Sequence, residues 1–256
     1  MNVLDRLVAQ AAADAREREG KVPLRQLRAR LDDAPEVRPF TAALLGGSRL
    51  IAEVKRSSPS KGAINPGLDP ARLAAAYARG GAACLSVLTE RTSFGGSLED
   101  LLAARAALPT LRKDFLTTEY QLVEARAFGA DAVLLIAAAL PAARLAELAE
   151  VARELRLEIL CEVHEEGELD AARAARPDLL GVNARNLKTL EVHPGAFARI
   201  APLAQGIAPL VAESGVKTAD DVRRYRKLGA EALLVGEALS GANDPESATR
   251  ALVGAA

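Results

Sequence analysis

Five apolar stretches of this sequence end in residues able to move protons or to orient oxygen-bearing groups. One closes on Glu53 and Lys55, the next on Lys113, and the others on Glu162, on Asn183 with Arg185, and on Glu213 with Ser214. A lysine set among carboxylates can donate a proton and a carboxylate can accept one, which is the equipment of general acid–base chemistry. Asn, Arg and Ser add contacts for carbonyl, hydroxyl or anionic groups. Charge at the end of an apolar segment is costly unless paired. A structural ring of ion pairs is therefore the competing explanation for any one of these residues. Their recurrence at the same end of successive segments favours an active site built from the set.

Eight short runs rich in Val, Ile and Leu could carry them: LIAEV from Leu50, CLSVL from Cys84, TLRKDF from Thr110, AVLLIA from Ala132, EILCEV from Glu158, LLGVNAR from Leu179, LVAES from Leu210 and ALLVG from Ala232. They recur every roughly 20–35 residues, the length of a strand, a helix and two loops. The intervening segments 71–79, 98–107, 119–128, 142–155, 165–175 and 219–228 have helical spacing. Three of them run out at a Gly-Ala pair, Gly81-Ala82, Gly129-Ala130 and Gly229-Ala230, where glycine suits a left-handed helix stop. Thr118 and Thr218 are predicted N-caps. Continuous apolar runs alternating with helices indicate parallel strands buried on both faces. The predicted fold is α/β, a (β/α)8 TIM barrel, with a doubly wound open sheet as the alternative. In such a barrel the polar strand ends meet at the C-terminal face, where active sites of this fold lie.

The 256 residues fit one barrel domain, of which residues 1–47 lie outside the repeat. They are predicted to form a helical extension packed on the barrel, with helices over 2–19 and 23–31 and a flexible joint at Gly46-Gly47. Leu4, Leu7, Val8 and Ala11 share one face of the first helix. With 33 basic and 34 acidic residues the net charge is −1, which argues against nucleic acid or an anionic membrane as partner. The charged N-terminus is unlike a signal peptide, and the longest apolar stretch, 132–141, falls short of the ~20 residues of a membrane span. Cys84 and Cys161 sit in apolar runs and read as buried, reduced thiols, which fits the cytoplasm. His164 and His193 are too few and too far apart for a metal pair and read as surface or loop histidines, so no metal is expected. Arg223, Arg224 and Arg226 read as a solvated helix face.

The segment IAEVKRSSPSKG (51–62), followed in order by LRKDF (111–115), CEV (161–163), GVNARNLKTLEV (181–192), VAESGV (211–216) and LLVGEAL (233–239), resembles the indole-3-glycerol phosphate synthase family. The resemblance runs from about Leu50 to Ser240. It implies ring closure, decarboxylation and dehydration of 1-(2-carboxyphenylamino)-1-deoxyribulose 5-phosphate to indole-3-glycerol phosphate in tryptophan biosynthesis, without a cofactor. By resemblance Lys113 is the principal general acid and Glu162 a second acid/base group near the departing hydroxyl. Glu53 and Lys55 match catalytic groups that hold the substrate carboxylate and hydroxyls and relay protons, Asn183 matches a catalytic-site residue that hydrogen-bonds substrate, and Glu213 matches a catalytic carboxylate. Arg185 matches an orienting cation, with a structural pairing to a neighbouring carboxylate as the alternative.

Ser58, Ser214, Gly215, Gly236 and Glu237 match the phosphate site, with glycine letting backbone N–H groups approach the anion. Glu237 departs from relatives that carry a small hydroxyl residue there. Since a carboxylate repels phosphate, only its backbone N–H is expected to contribute. Pro59, Phe94, Phe115, Leu134 and Leu187 match the lining of an aryl slot. The segment 57–69, rich in turn residues and poor in apolar ones, is a candidate lid. A phosphate-binding sugar isomerase, a Schiff-base aldolase using Lys113 and a non-catalytic metabolite-binding barrel are the competing functions. The protein is expected to be monomeric.

Overall fold

The computed structural model describes residues 2–256. Eight parallel strands close a barrel in chain order: β1 (Leu50–Val54), β2 (Cys84–Leu88), β3 (Thr110–Lys113), β4 (Ala132–Ile136), β5 (Glu158–Val163), β6 (Leu179–Asn183), β7 (Leu210–Glu213) and β8 (Ala232–Val235). The ring closes where Leu50 pairs with Leu233 and Ile51 with Cys84, which excludes the open sheet. Each strand begins at the residue where its apolar run begins. Successive strand side chains point to opposite faces. One set of alternate residues, Ile51, Cys84, Leu111, Leu134, Leu160, Leu179, Val211 and Leu234 among them, fills the barrel interior. The other set, such as Leu50, Val133, Ile159 and Val182, packs under the helices.

The helices are α1 (Val3–Lys21), α2 (Leu24–Ala29), α3 (Phe40–Gly46), α4 (Pro70–Arg79), α5 (Arg91–Phe94), α6 (Leu98–Ala104), α7 (Glu119–Ala127), α8 (Ala142–Glu154), α9 (Leu169–Ala175), α10 (Ala196–Ile200), α11 (Ala219–Lys227), α12 (Glu237–Ser240) and α13 (Pro245–Val253). Gly81, Gly129 and Gly229 all have positive φ, as the Gly-Ala stops predict. Thr118 and Thr218 build capping boxes with Gln121 and Asp221. The predicted helix 165–175 is instead a short 3-10 turn followed by α9. Helices α3, α5, α10, α12 and α13 went unpredicted; four of them span seven residues or fewer, too short for helical periodicity to register.

The extension is tied to the barrel at both ends. Leu4, Leu7 and Ala11 of α1 join the same apolar cluster as the barrel interior. Each leucine buried in this way stabilises by about 1.5–3 kcal/mol. Further along, Arg18 pairs with the buried Glu124 of α7 at 2.6 Å, and Glu124 also meets the fully buried Arg112 of β3 at 3.1 Å. At the opposite end of the barrel the Asp131 carboxylate accepts from the Arg38 and Thr110 backbone N–H groups, each at 2.7 Å. There α3 lies across the strand starts. The Cys84 thiol donates to the Phe40 carbonyl at 3.4 Å, and the Thr41 N–H donates to Glu158 at 2.7 Å. Phe40 and Leu44, both fully buried, stopper that end. At the Gly46-Gly47 joint, Gly46 ends α3 with open space beside it, while a Cβ on Gly47 would sit 2.8 Å from the Ala43 carbonyl and 3.2 Å from Ala83.

Candidate active site

The inward alternation that packs the barrel also sets the site. Two residues beyond Ile51, Leu111, Leu160 and Val211 on the same face stand Glu53, Lys113, Glu162 and Glu213. Above an apolar floor the side chains therefore turn ionic within one layer. The Lys113 Nζ donates to Glu162 Oε2 at 2.9 Å and lies 3.4 Å from Glu213 Oε2. Across the mouth Lys55 Nζ lies 2.6 Å from Glu53 Oε1. Gly181, level with Glu162 in the sheet, leaves the space that Glu213 occupies: a Cβ there would fall 2.0 Å from Glu213 Oε1.

Burial alone would discharge Lys113, but Glu162, Glu213 and Glu53 outweigh it and hold its pKa above the ordinary lysine value. Burial also opposes ionisation of Glu162, yet Lys113 and His164 hold its pKa well below the usual carboxylate range. For Glu213, burial and then the Glu162 charge raise the pKa well above that range. Two adjacent carboxylates cannot both ionise cheaply. Within this cluster the Lys113 ammonium is favoured and the two carboxyl groups are pushed in opposite directions, Glu162 toward ionisation and Glu213 away from it.

Asn183 Oδ1 accepts from the Arg185 backbone N–H at 2.9 Å and from Ser214 Oγ at 2.8 Å, while its amide NH2 makes no hydrogen bond among the described residues. Arg185 donates to the Leu190 carbonyl at 2.9 Å and, among the described residues, pairs with no carboxylate. Ser214 and Gly215 both have positive φ. For a serine that conformation is strained, and here it curls the chain after β7 around the cavity rim. Gly236 opens the turn into α12, and a Cβ on it would lie 2.0 Å from Glu53 Oε1 and 2.8 Å from Lys55 Nζ. Its lack of a side chain thus serves the Glu53–Lys55 pair as well as any anion. Glu237 turns its carboxylate to Lys61 at 3.4 Å, away from that turn. Ser58, buried, faces Ser60.

These residues line one cavity of about 720 Å3. Its apolar side carries Pro59, Phe94, Phe115, Leu134 and Leu187, with the Phe94 and Phe115 rings 6.3 Å apart. All seventeen residues proposed from the sequence line it. The segment 57–69 is more anchored than its composition suggests. Residues 57–58 and 62–63 form a small antiparallel ladder, Leu68 is buried, and the Arg56 carbonyl accepts from Ile64 at 2.8 Å and Asn65 at 3.0 Å.

Several residues that line or brace the cavity are not marked in the sequence. His164 is not a surface histidine: its side chain is 7 % exposed, with Nε2 3.1 Å from Glu162 Oε1 though not aligned as a hydrogen bond. The period-2 alternation past Glu162 points it inward and could have found it. Arg224 is not merely solvated; it lines the cavity rim with Lys217 and stacks 5.0 Å over Tyr225. Leu7 of α1 lines the aryl side. Ser240 Oγ donates to the Glu53 carbonyl at 2.7 Å and accepts from the Lys55 N–H at 3.2 Å, bracing the end of β1. Only strand pairing across the closed ring brings Ser240 there, so no local signal marked it.

Comparison with known proteins agrees with this geometry. The family model described as indole-3-glycerol phosphate synthase matches residues 4–252. An indole-3-glycerol phosphate synthase of a Nocardioides species is 53% identical over 99% of this chain and 99% of its own length. A Streptomyces coelicolor protein of that name, numbered 1, is 51% identical over 100% of this chain and 96% of its own. Among solved structures, a thiamine phosphate pyrophosphorylase from Pyrococcus furiosus superposes with a TM-score of 0.63 at 19% identity, covering 85% of this chain and 97% of that one, a likeness of fold alone. Matched along nearly its whole length by the family model and by relatives at half identity, the chain belongs to the indole-3-glycerol phosphate synthase family.

Proposed function

We propose that the chain converts 1-(2-carboxyphenylamino)-1-deoxyribulose 5-phosphate to indole-3-glycerol phosphate, CO2 and water, the step that closes the indole ring in tryptophan biosynthesis. The observation that carries this reading is the Lys113 ammonium held between Glu162 and Glu213 at the floor of a cavity that is apolar on one side. The ring carbon bearing the carboxylate attacks the ketone, and Lys113 protonates the oxygen as the bond forms. Loss of CO2 restores the aromatic ring. The new hydroxyl leaves as water on a second protonation, and a base removes a proton from the adjacent carbon to complete the indole. Two protons are donated and one is recovered, so one is drawn from solvent. Glu162 and Glu213 hold one negative charge and one proton between them, a base and an acid side by side for the later steps. A charged Lys113 suits a proton donor and disfavours the Schiff-base aldolase, which needs a free amine.

Glu53 and Lys55 are assigned to the substrate carboxylate and hydroxyls, and Asn183 and Arg185 to its polar groups. Backbone N–H groups near Ser214, Gly215, Gly236 and Glu237, with Ser58, are assigned to the phosphate. No metal or cofactor is required by this chemistry. We read residues 1–47 as part of the barrel domain and the protein as a monomer. Large exposed hydrophobics among the described residues, Leu102, Leu203 and Leu228, lie on separate elements, which supports that reading. Among the described residues no helix is long and apolar enough to cross a membrane. Both cysteines are free and buried, which supports our reading of a reducing, cytoplasmic setting. A fluorescence assay for indole-3-glycerol phosphate from the synthetic substrate tests the reaction; absence of product from folded protein overturns it.

A further inference from the structure

We propose that His164 is a positioning residue whose imidazolium decides which of two buried carboxylates, Glu162 or Glu213, carries the negative charge. The question is set by the geometry of the pair. Glu213 fills the space above Gly181, and Gly181 is the register partner of Glu162, so the two side chains flank one backbone position. Lys113 touches both, at 2.9 and 3.4 Å. Its ammonium favours one ionised carboxylate in the pair and leans toward Glu162, the one it hydrogen-bonds, though it stays within 3.4 Å of Glu213.

His164 discriminates. Its Nε2 is 3.1 Å from Glu162 Oε1, the oxygen opposite the one that Lys113 binds. Glu162 is therefore bracketed by a cation on each oxygen, while Glu213 has Lys113 alone. Behind the imidazole, Nδ1 lies 3.6 Å from Glu168 Oε2, and the same oxygen accepts from the His164 backbone N–H at 2.7 Å. The ring thus sits between two carboxylates, an environment that suits the cation. Other charged or titratable groups nearby lie around a second cavity of about 480 Å3 that His164 also lines: Glu165, Glu166, His193 and Arg199. Glu166 and Arg199 neutralise each other at 2.9 Å. Burial would lower the imidazole pKa, but Glu162 and Glu168 overcome it and raise it to about 9. The side chain is outside the wall of the main cavity, so it acts through Glu162 and not on substrate.

The inference rests on the proposed reaction for its kinetic test, but the charge assignment is testable without turnover. The chain has two histidines, so ring-labelled protein gives two sets of NMR signals, and His164→Gln assigns them. The His164 ring is expected to remain cationic at pH 8 and to lose its proton at lower pH in Glu162→Gln. In steady-state assays, His164→Gln should lower kcat about tenfold with KM within about twofold, and raise the acidic limb of kcat/KM by about one pH unit, because Glu162 becomes harder to ionise. Glu168→Gln keeps an oxygen for the His164 N–H and should move the limb the same way by less. A His164 ring that is neutral at pH 7, or an unmoved acidic limb in folded His164→Gln, overturns the proposal. If that variant does not fold, the ring titration and Glu168→Gln decide. Failure of wild-type turnover would instead sink the reaction and leave the titration standing as the test of the charge assignment.

Discussion

Gly181→Ala asks whether the empty space beside Glu213 matters for catalysis. The added methyl would lie 2.0 Å from Glu213 Oε1, 3.1 Å from its Cδ and 3.3 Å from Leu160 Cδ1. To reach ordinary contact at 3.4 Å the carboxyl oxygen must retreat by 3.4 − 2.0 = 1.4 Å. That displacement takes it out of its arrangement with Lys113 and Glu162. Mispositioning on the ångström scale costs about 10²-fold, or about 2.7 kcal/mol of transition-state stabilisation. The backbone at Gly181 is ordinary strand, so stability should fall only by the ~1–3 kcal/mol of overpacking, a Tm loss below about 12 °C for a chain of this size. Indole-3-glycerol phosphate fluorescence measures kcat/KM and calorimetry the Tm, with Gly20→Ala, whose Cβ meets nothing within 4 Å, as control. A Gly181→Ala enzyme within threefold of wild type at unchanged Tm would refute the reasoning, because Glu213 would then be free of that space or irrelevant to the rate.

Lys113→Ala should reduce turnover by about 10²-fold or more, the loss of a general acid; near-normal steady-state rates would remove it from that role. Gly236→Ala places a Cβ 2.0 Å from Glu53 and 2.8 Å from Lys55, so KM should rise about tenfold or more with circular dichroism unchanged, and an unaltered KM would detach that pair from substrate binding. Amide exchange of residues 57–69 should slow on adding product, and equal protection in both states would exclude a lid. The stability difference between wild type and His164→Gln should depend on pH with a definite sign. The folded pKa is raised from the ordinary histidine value of 6.5 to about 9, so the histidine's contribution is full below about 6.5 and is lost as pH rises through about 9. Denaturant titrations at pH 6 and pH 9.5 that give equal differences would contradict it.

The barrel was legible because each strand is buried on both sides and therefore reads as an unbroken apolar run; Leu50, Cys84 and Ala132 each mark a strand start to the residue. The ionic layer at the barrel mouth was legible for a related reason, since ions such as Lys113 and Glu162 interrupt those runs. His164 was overlooked because it lies just past the end of β5, where its one-residue signal depends on carrying the strand alternation forward. Ser240 and Leu7 were out of reach for another reason. Their roles depend on chain segments far apart in sequence, β1 with α12 and α1 with the barrel interior. The anchoring of 57–69 was likewise hidden, because it relies on backbone hydrogen bonds to Arg56 that carry no compositional mark.

With Phe40 and Leu44 covering the strand-start end and apolar side chains filling the interior above them, the site is reached from the opposite mouth. Whatever reacts at Lys113 must enter and depart through the rim that Ser58, Arg185 and Ser214 share. In the proposed reaction CO2 leaves while the ring-closed intermediate is still bound, and water leaves before the indole does, so both small molecules share that mouth with a much larger occupant. Residues 58–61 and the turn after β7 border that mouth, so substitutions there act on access and release while leaving the Lys113, Glu162 and Glu213 layer in place.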